Sequence, residues 1–299
     1  MKHLFYFLFV FWVAVWLASC GQTEKVEANN DSTALKLGVL PTMECLPFYY
    51  ADSTGLFDSL GIDIQLVTFA AAMDADTAFQ HGDIDGIVTD VVKACVWESM
   101  GDSARMVMGG ELRLWLVTAM NARLLKAESL KEKIIGITRH SAPDFFTDQI
   151  LASVKLQSID LNKPQINNIR LRTLMVDQNQ YDGAILPEPY ASEAVARGAK
   201  RLTGTTDLKV EGMMCVLFND SVAKARETEM SLIEQAYNQA VLALNTDSTS
   251  DKLGFFPTKH RLDLPDTLFT YTPLQPARMP SDSLLQRVKA WAKGRGLIK

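Results

Sequence analysis

Short apolar runs and stretches of helical period take turns along most of this chain. Leu35–Val39 is an apolar run punctuated by Gly38 and closed by Pro41, and it predicts a buried strand. Leu46–Ser53 predicts a helix that ends near Gly55. Ile62–Val67 alternates as a second strand, and Ala70–His81 is helical in composition with Gly82 as its stop. Gly86–Val88 predicts a third strand, Val91–Met100 a helix, and Arg105–Gly109 and Leu114–Met120 two further strands. Strands and helices alternating through short links argue for the α/β class, with a mainly parallel sheet covered on both faces.

The pattern then restarts. Ile134–Thr138 predicts a strand and Ala142–Lys155 a helix, with Ser141 as N-cap and Asp144 as a short capping-box partner. The run Ile169–Leu174 alternates and predicts a strand, as does Gly183–Leu186; Tyr190–Arg197 is helical and Met213–Phe218 is another strand. In the long helix over Glu229–Asn245, Met230, Ile233, Tyr237, Val241 and Leu244 share one face, which reads as core. A proline-rich, irregular stretch leads to Ser281, which opens a last helix with Leu284, Leu285, Val288 and Trp291 inward, stopped by Gly294 and Gly296. Two consecutive α/β lobes with a crevice between them follow.

The first residues change the picture of where the protein works. Lys2 and His3 precede fifteen uncharged residues, Leu4–Ala18. As a helix these would span ~22 Å, short of the ~30 Å hydrocarbon core of a bilayer. That is the anatomy of a cleaved export signal over residues 1–19. Leu17-Ala18-Ser19-Cys20 resembles the lipobox of bacterial lipoproteins, which implies that Cys20 becomes an acylated N-terminus and a firm membrane anchor. Residues 20–33 are polar apart from Val26 and read as a flexible tether. The expected location is the bacterial cell envelope, facing the periplasm, with either membrane open as the site of anchoring.

Composition excludes some partners. A formal net charge of −5 offers no basic footprint for nucleic acid. Beyond Cys20, Cys45, Cys95 and Cys215 lack metal-ligand spacing and read as small core residues. A Cys45–Cys95 disulfide stays open in an oxidising compartment. His81, His140 and His260 are scattered, and no catalytic or metal constellation emerges, so neither an enzyme nor a cofactor is expected.

Four spaced elements carry a family resemblance: Gly55-Leu56-Phe57, Gly61-Ile62-Asp63-Ile64, Gly82-Asp83-Ile84-Asp85-Gly86, and Asp182-Gly183-Ala184-Ile185-Leu186-Pro187-Glu188-Pro189. In order and spacing the stretch from Leu35 to Pro189 resembles the NMT1/THI5-like solute-binding family, whose members bind nitrate, sulfonates, taurine and thiamine pyrimidine precursors. The resemblance implies an α/β, two-lobed, type II periplasmic-binding-protein-like fold, each lobe a mixed sheet flanked by helices. It implies lobe I at residues 34–112 and 218–299, lobe II at 113–217, and a ligand cleft between them. It also implies a monomer that closes on a small molecule by hinge motion and delivers it to an ABC permease and its ATPase.

In doubly wound sheets, pocket walls form at the C-terminal ends of strands. That rule nominates Thr42, Met43, Glu44, Thr68, Phe69, Thr89, Asp90 and Glu111 with Arg113 from the first lobe, and Arg139, His140, Ser141, Glu188 and Tyr190 from the second. Each has a plainer reading: Met43 and Phe69 as core, Asp90 as a helix cap, His140 as a surface histidine. In sulfonate and nitrate binders of the family, the helix entrance after the Ile134–Thr138 strand receives the anion. Here Pro143 removes an N–H and Asp144 adds a negative charge, while Glu44, Asp90 and Glu188 add more. A neutral or cationic nitrogenous ligand is as compatible as a sulfonate. Two other functions compete: an enzyme of the thiamine-pyrimidine type, whose cysteine-rich motif is missing, and a stand-alone sensing lipoprotein.

The anchor is directly testable. Cys20→Ala is expected to abolish incorporation of a radiolabelled fatty acid and to release the protein from membranes. Membrane retention of a signal-cleaved, unlabelled Cys20→Ala protein refutes it.

Overall fold

The computed structural model describes residues 33–101, 103–247, 251–260, 269 and 271–299. The export signal, Cys20 and all of the tether except Thr33 lie outside the described residues. The chain from Ala34 to Lys299 packs as one unit.

Its first part comprises β1 (Leu35–Val39), α1 (Leu46–Ser53), α2 (Leu56–Ser59), β2 (Ile64–Thr68), α3 (Ala72–His81), β3 (Gly86–Asp90), α4 (Val91–Met100) and β4 (Ala104–Gly110). Next come β5 (Leu114–Thr118), β6 (Ile135–Gly136), α5 (Ala142–Ser153), α6 (Ile169–Asp177), β7 (Gly183–Pro187), α7 (Tyr190–Ala196) and β8 (Lys200–Gly204). The chain ends with β9 (Met214–Asn219), α8 (Asp220–Ala225), α9 (Glu227–Thr246) and α10 (Asp282–Gly294).

The strands form two sheets, ordered β2-β1-β3-β9-β4 and β6-β7-β5-β8. β1 pairs in parallel with β2 and β3, whereas β9 is antiparallel to both β3 and β4. In the second sheet β6 and β7 are parallel, and β5 is antiparallel to β7 and β8. Each sheet is therefore mixed rather than mainly parallel. The reason is connectivity: β9 enters the first sheet from the second one, not over a crossover helix, and so arrives in the opposite sense. Close packing of that strand shows at Gly86, where a Cβ would lie 2.6 Å from the Phe218 ring. The outer edge of β4 is covered by the proline-rich segment, with Arg278 N–H donating to the Gly109 carbonyl at 2.9 Å.

Three local expectations change. Ile169–Leu174 is not a strand but the start of α6, capped by Asn168, whose side chain accepts from Leu171 N–H at 2.9 Å. Its buried residues Ile169, Arg172, Thr173 and Val176 follow the helical period, and the apparent alternation places Leu171 in solvent. Lys200–Gly204, polar and unremarked in the sequence, is the edge strand β8. Asp144 forms no capping box. Its carboxylate accepts from His140 N–H at 3.1 Å and pairs with Lys163 at 2.7 Å, while the Ser141 hydroxyl donates to the Thr138 carbonyl. Cys45, Cys95 and Cys215 are buried and unbridged, each held as a thiol by burial.

Helix α10 straps the two sheets together. It lies along α4 and also reaches α5, where Trp291 meets Phe145 edge-on at 5.5 Å and donates its indole N–H to Asp148 at 2.9 Å. Lys163 bridges Asp144 and Asp148 at 2.7 and 2.8 Å, and Arg295 stands 3.6 and 3.7 Å from the same two carboxylates. Asp144 has no exposure, so removing a cation leaves a buried charge uncompensated. Lys163→Met is expected to lower the unfolding free energy by about 3 kcal/mol, read from the urea midpoint. Adding Asp144→Asn should recover part of that loss.

Candidate ligand-binding cleft

The ends of β1 and β3 face the loop after β6 and the end of β7. Between them lies a cavity of about 70 Å³, walled by Thr42, Glu44, Asp76, Asp90, Thr138 and Arg172 among others. A larger chamber of about 320 Å³, lined in part by Met43, Glu44, Glu111 and Glu188, adjoins it, and Glu44 is common to both walls. The halves touch across this region: Met43 N–H donates to the Glu188 carbonyl at 3.0 Å, and Ala71 and Asn168 form an antiparallel bridge.

Each polar wall residue is placed by a local element. Asp90 ends β3 and caps α4, accepting from Val92 and Lys93 N–H at 3.0 and 3.1 Å. One turn into α4, buried Lys93 pairs with Asp76 of α3 at 2.5 Å. Burial raises the affinity of Asp76 and Asp90 for protons, and the Lys93 ammonium opposes that. Ala142 N–H, at the start of α5, also stabilises the Asp90 carboxylate across the cleft.

Arg172 is the outstanding group. Its position four residues beyond the Asn168 cap turns it inward, and only 2% of it is exposed. One guanidinium nitrogen donates to Thr138 Oγ1 at 2.7 Å and to the Ile166 carbonyl at 2.8 Å, while Nε is buried without a partner. Among the described residues no carboxylate pairs with it, and burial depresses its pKa to about 10. The Thr42 hydroxyl is likewise buried without a partner. Unmatched polar groups of this kind mark positions where a site expects something else.

Residues 28–253 match the NMT1-like family. The chain belongs to that family. Solved structures of the same fold include the periplasmic aliphatic sulphonate binding protein SsuA from Escherichia coli, at 18% identity and TM-score 0.71 over 89% of this chain and 94% of that one. SsuA from Xanthomonas axonopodis pv. citri, bound to MOPS, is 17% identical with TM-score 0.73 over 89% and 94%. The periplasmic nitrate-binding protein NrtA from Synechocystis PCC 6803 is 13% identical with TM-score 0.70 over 90% and 83%. No curated protein matches by sequence. At these identities the likeness establishes the periplasmic-binding-protein fold.

Within this NMT1-like fold, the residues nominated from the sequence separate into groups. Thr42, Glu44, Thr89, Asp90 and Ser141 line the cavity, and Met43, Glu111, Arg113 and Glu188 line the adjoining chamber. Thr68, Phe69, Arg139, His140 and Tyr190 are on neither wall. Phe69 packs on the core, Arg139 donates to the Lys163 carbonyl at 3.0 Å, His140 is exposed in the left-handed region, and Tyr190 is buried at the start of α7. Glu188 is already engaged by Ser192 and Arg201. Arg172, Asp76, Lys93 and Thr138 were missed. Asn168 followed by Ile169, Arg172, Thr173 and Val176 was the available signal for Arg172.

Glu44 carries the site's clearest titration. Burial raises its pKa from 4.5 to about 7, and the nearby Thr42 hydroxyl relieves this only in part, without reaching hydrogen-bond geometry. The folded state therefore prefers the protonated carboxyl. Its penalty is absent below pH 4.5, develops as pH rises toward 7 and is full above that. Glu44→Gln is expected to stabilise the unliganded protein by about 1–3 kcal/mol at pH 8 and by little at pH 4.5, measured by urea unfolding.

Proposed function

We propose that this protein captures a small polar solute between two lobes and presents it to an ABC permease and its ATPase. The observation that carries the reading is the cavity between the sheets, walled by buried, unmatched polar groups from both halves: Thr42 on one side and Arg172 on the other. The lobes follow the two sheets: the chain from 34 to 112 together with everything after Gly212, because β9 (Met214–Asn219) pairs in the first sheet, and the segment between those crossings. Their hinge is the pair of crossings near Glu111–Arg113 and Gly212. Ligand holds the closed form, in which Met43 meets Glu188 and Ala71 meets Asn168. Cys20 tethers the mature protein to an envelope membrane.

In this reading Arg172, steadied by Thr138, takes the solute's acidic or acceptor group, and Asp76, with one buried oxygen unmatched, takes a donor. Thr42, Thr89 and Ser141 supply further contacts. The N-terminus of α5 is a poor anion site here. Pro143 lacks an N–H, Asp144 N–H is bonded to the Ser141 carbonyl, and His140 N–H is taken by Asp144. In this reading the wall binds the solute and releases it unaltered.

Mass spectrometry of small molecules released from the protein, purified from its native periplasm, is expected to show one stoichiometric compound. Arg172→Gln should weaken its binding at least tenfold, about 1.4 kcal/mol by calorimetry, with the circular-dichroism spectrum retained. A compound recovered chemically changed after stoichiometric incubation favours an enzyme instead, and undiminished affinity in Arg172→Gln removes the arginine from the site.

A further inference from the structure

We propose that the chamber adjoining the cleft is a second binding site, one that takes a primary ammonium ion with a short apolar body. The proposal goes beyond solute capture at Arg172, because that residue belongs to the other cavity.

Three acceptors on the chamber wall have no cation and keep unused capacity. Glu111 accepts from Gly212 N–H at 3.3 Å through Oε2, but its Oε1 is buried and unmatched. The Glu44 carboxyl is eased only by the Thr42 hydroxyl and its own backbone N–H, and has no ion pair among the described residues. The Tyr237 side chain is only 1% exposed, and its hydroxyl has no hydrogen-bond partner among the described residues. The three lie in one electrostatic neighbourhood, since both carboxylates hinder ionisation of Tyr237. A primary ammonium has three N–H donors and no acceptor, the complement of such a set. The rest of the wall, including Met43, Trp115 and Leu274, offers apolar surface to the body of the ion.

Charge accounting gives the valence. Glu188 is neutralised by Arg201, which also lies over the Trp115 ring at 4.9 Å. Arg113 is turned to the carbonyls of Thr272 and Pro273, at 3.3 and 2.9 Å, and contributes one positive charge. Around Glu44, the ionisable neighbours Cys45, Tyr49, Tyr190 and Tyr237 are held neutral by burial, so none of them compensates it. Glu111 has Arg113 and Glu211 as charged neighbours, of opposite effect. With Glu44 and Glu111 ionised, the lining residues leave one negative charge for a single monovalent cation to balance.

The test is calorimetry on the full mature chain with butylammonium chloride at pH 8. One-to-one binding is expected, at least tenfold tighter than that of butan-1-ol, which lacks the charge, and of tetramethylammonium, which lacks N–H. Glu111→Gln and Tyr237→Phe should each weaken butylammonium at least tenfold, while Arg172→Gln leaves it unchanged. Affinity should fall from pH 8 to pH 6, and Glu44→Gln should flatten that fall. Equal binding of the alcohol, or no loss in both Glu111→Gln and Tyr237→Phe, overturns the proposal. Loss of butylammonium binding in Arg172→Gln places the ion in the cleft and overturns it too. None of these results bears on whether a solute co-purifies with the protein, which the cleft's own experiment decides.

Discussion

Strand β9 runs antiparallel between β3 and β4, and the placement of both cavities follows from that pairing. Met214–Phe218 are all buried, so the returning chain is a core strand with no freedom to slip register. The register sets Asp90 opposite Met214, and Val91 N–H bonds to the Met213 carbonyl at 2.9 Å. The first turn of α4, and with it Lys93, is thus positioned by residues more than a hundred places further on. The same pairing brings the outgoing crossing beside the returning one, where Gly212 N–H meets Glu111. The larger chamber opens against those crossings, and the smaller cavity lies at the strand ends beyond them.

Buried charge is handled in two contrasting ways. Beneath α10, Asp144 and Asp148 share Lys163, with Arg295 in support, so the charges are mutually compensated and the cluster reads as structural. At the cleft, Arg172 has neutral partners only, and Glu44 and Glu111 are pushed toward their protonated forms by burial. A fold that leaves ionisable groups desolvated and unpaired loses stability there. That loss, concentrated around two neighbouring cavities, is the physical signature shared by the two proposed sites. Structural need accounts for the first cluster and leaves the second unexplained.

Much of this was legible in the sequence, and the legible part has a common cause. Burial of a strand, the stop imposed by Gly82, the apolar face of α9 and the capping role of Asp90 depend on neighbours a few residues away. Period and punctuation report such things directly. The strand-end rule is also local, which is why it named Thr42, Glu44, Thr89, Asp90 and Ser141, all of them on the cavity wall. The family resemblance carried the two-sheet architecture that periodicity alone described as mainly parallel.

What the chain determined by itself was therefore the kind and order of its elements and the residues at their ends. The sense of β9, the rotation of α6 about its axis, and the partners of buried charges were decided only by tertiary structure. Arg172 shows why. A six-residue run with arginines at alternate positions fits a strand as well as a helix, and only docking of the face that buries Ile169, Thr173 and Val176 turns Arg172 inward. Asp144 shows it again, since its partner Lys163 lies nineteen residues away and Arg295 comes from the far end of the chain. Coulomb attraction and desolvation act through space, so their outcome cannot be read along the sequence until the fold has brought the groups together.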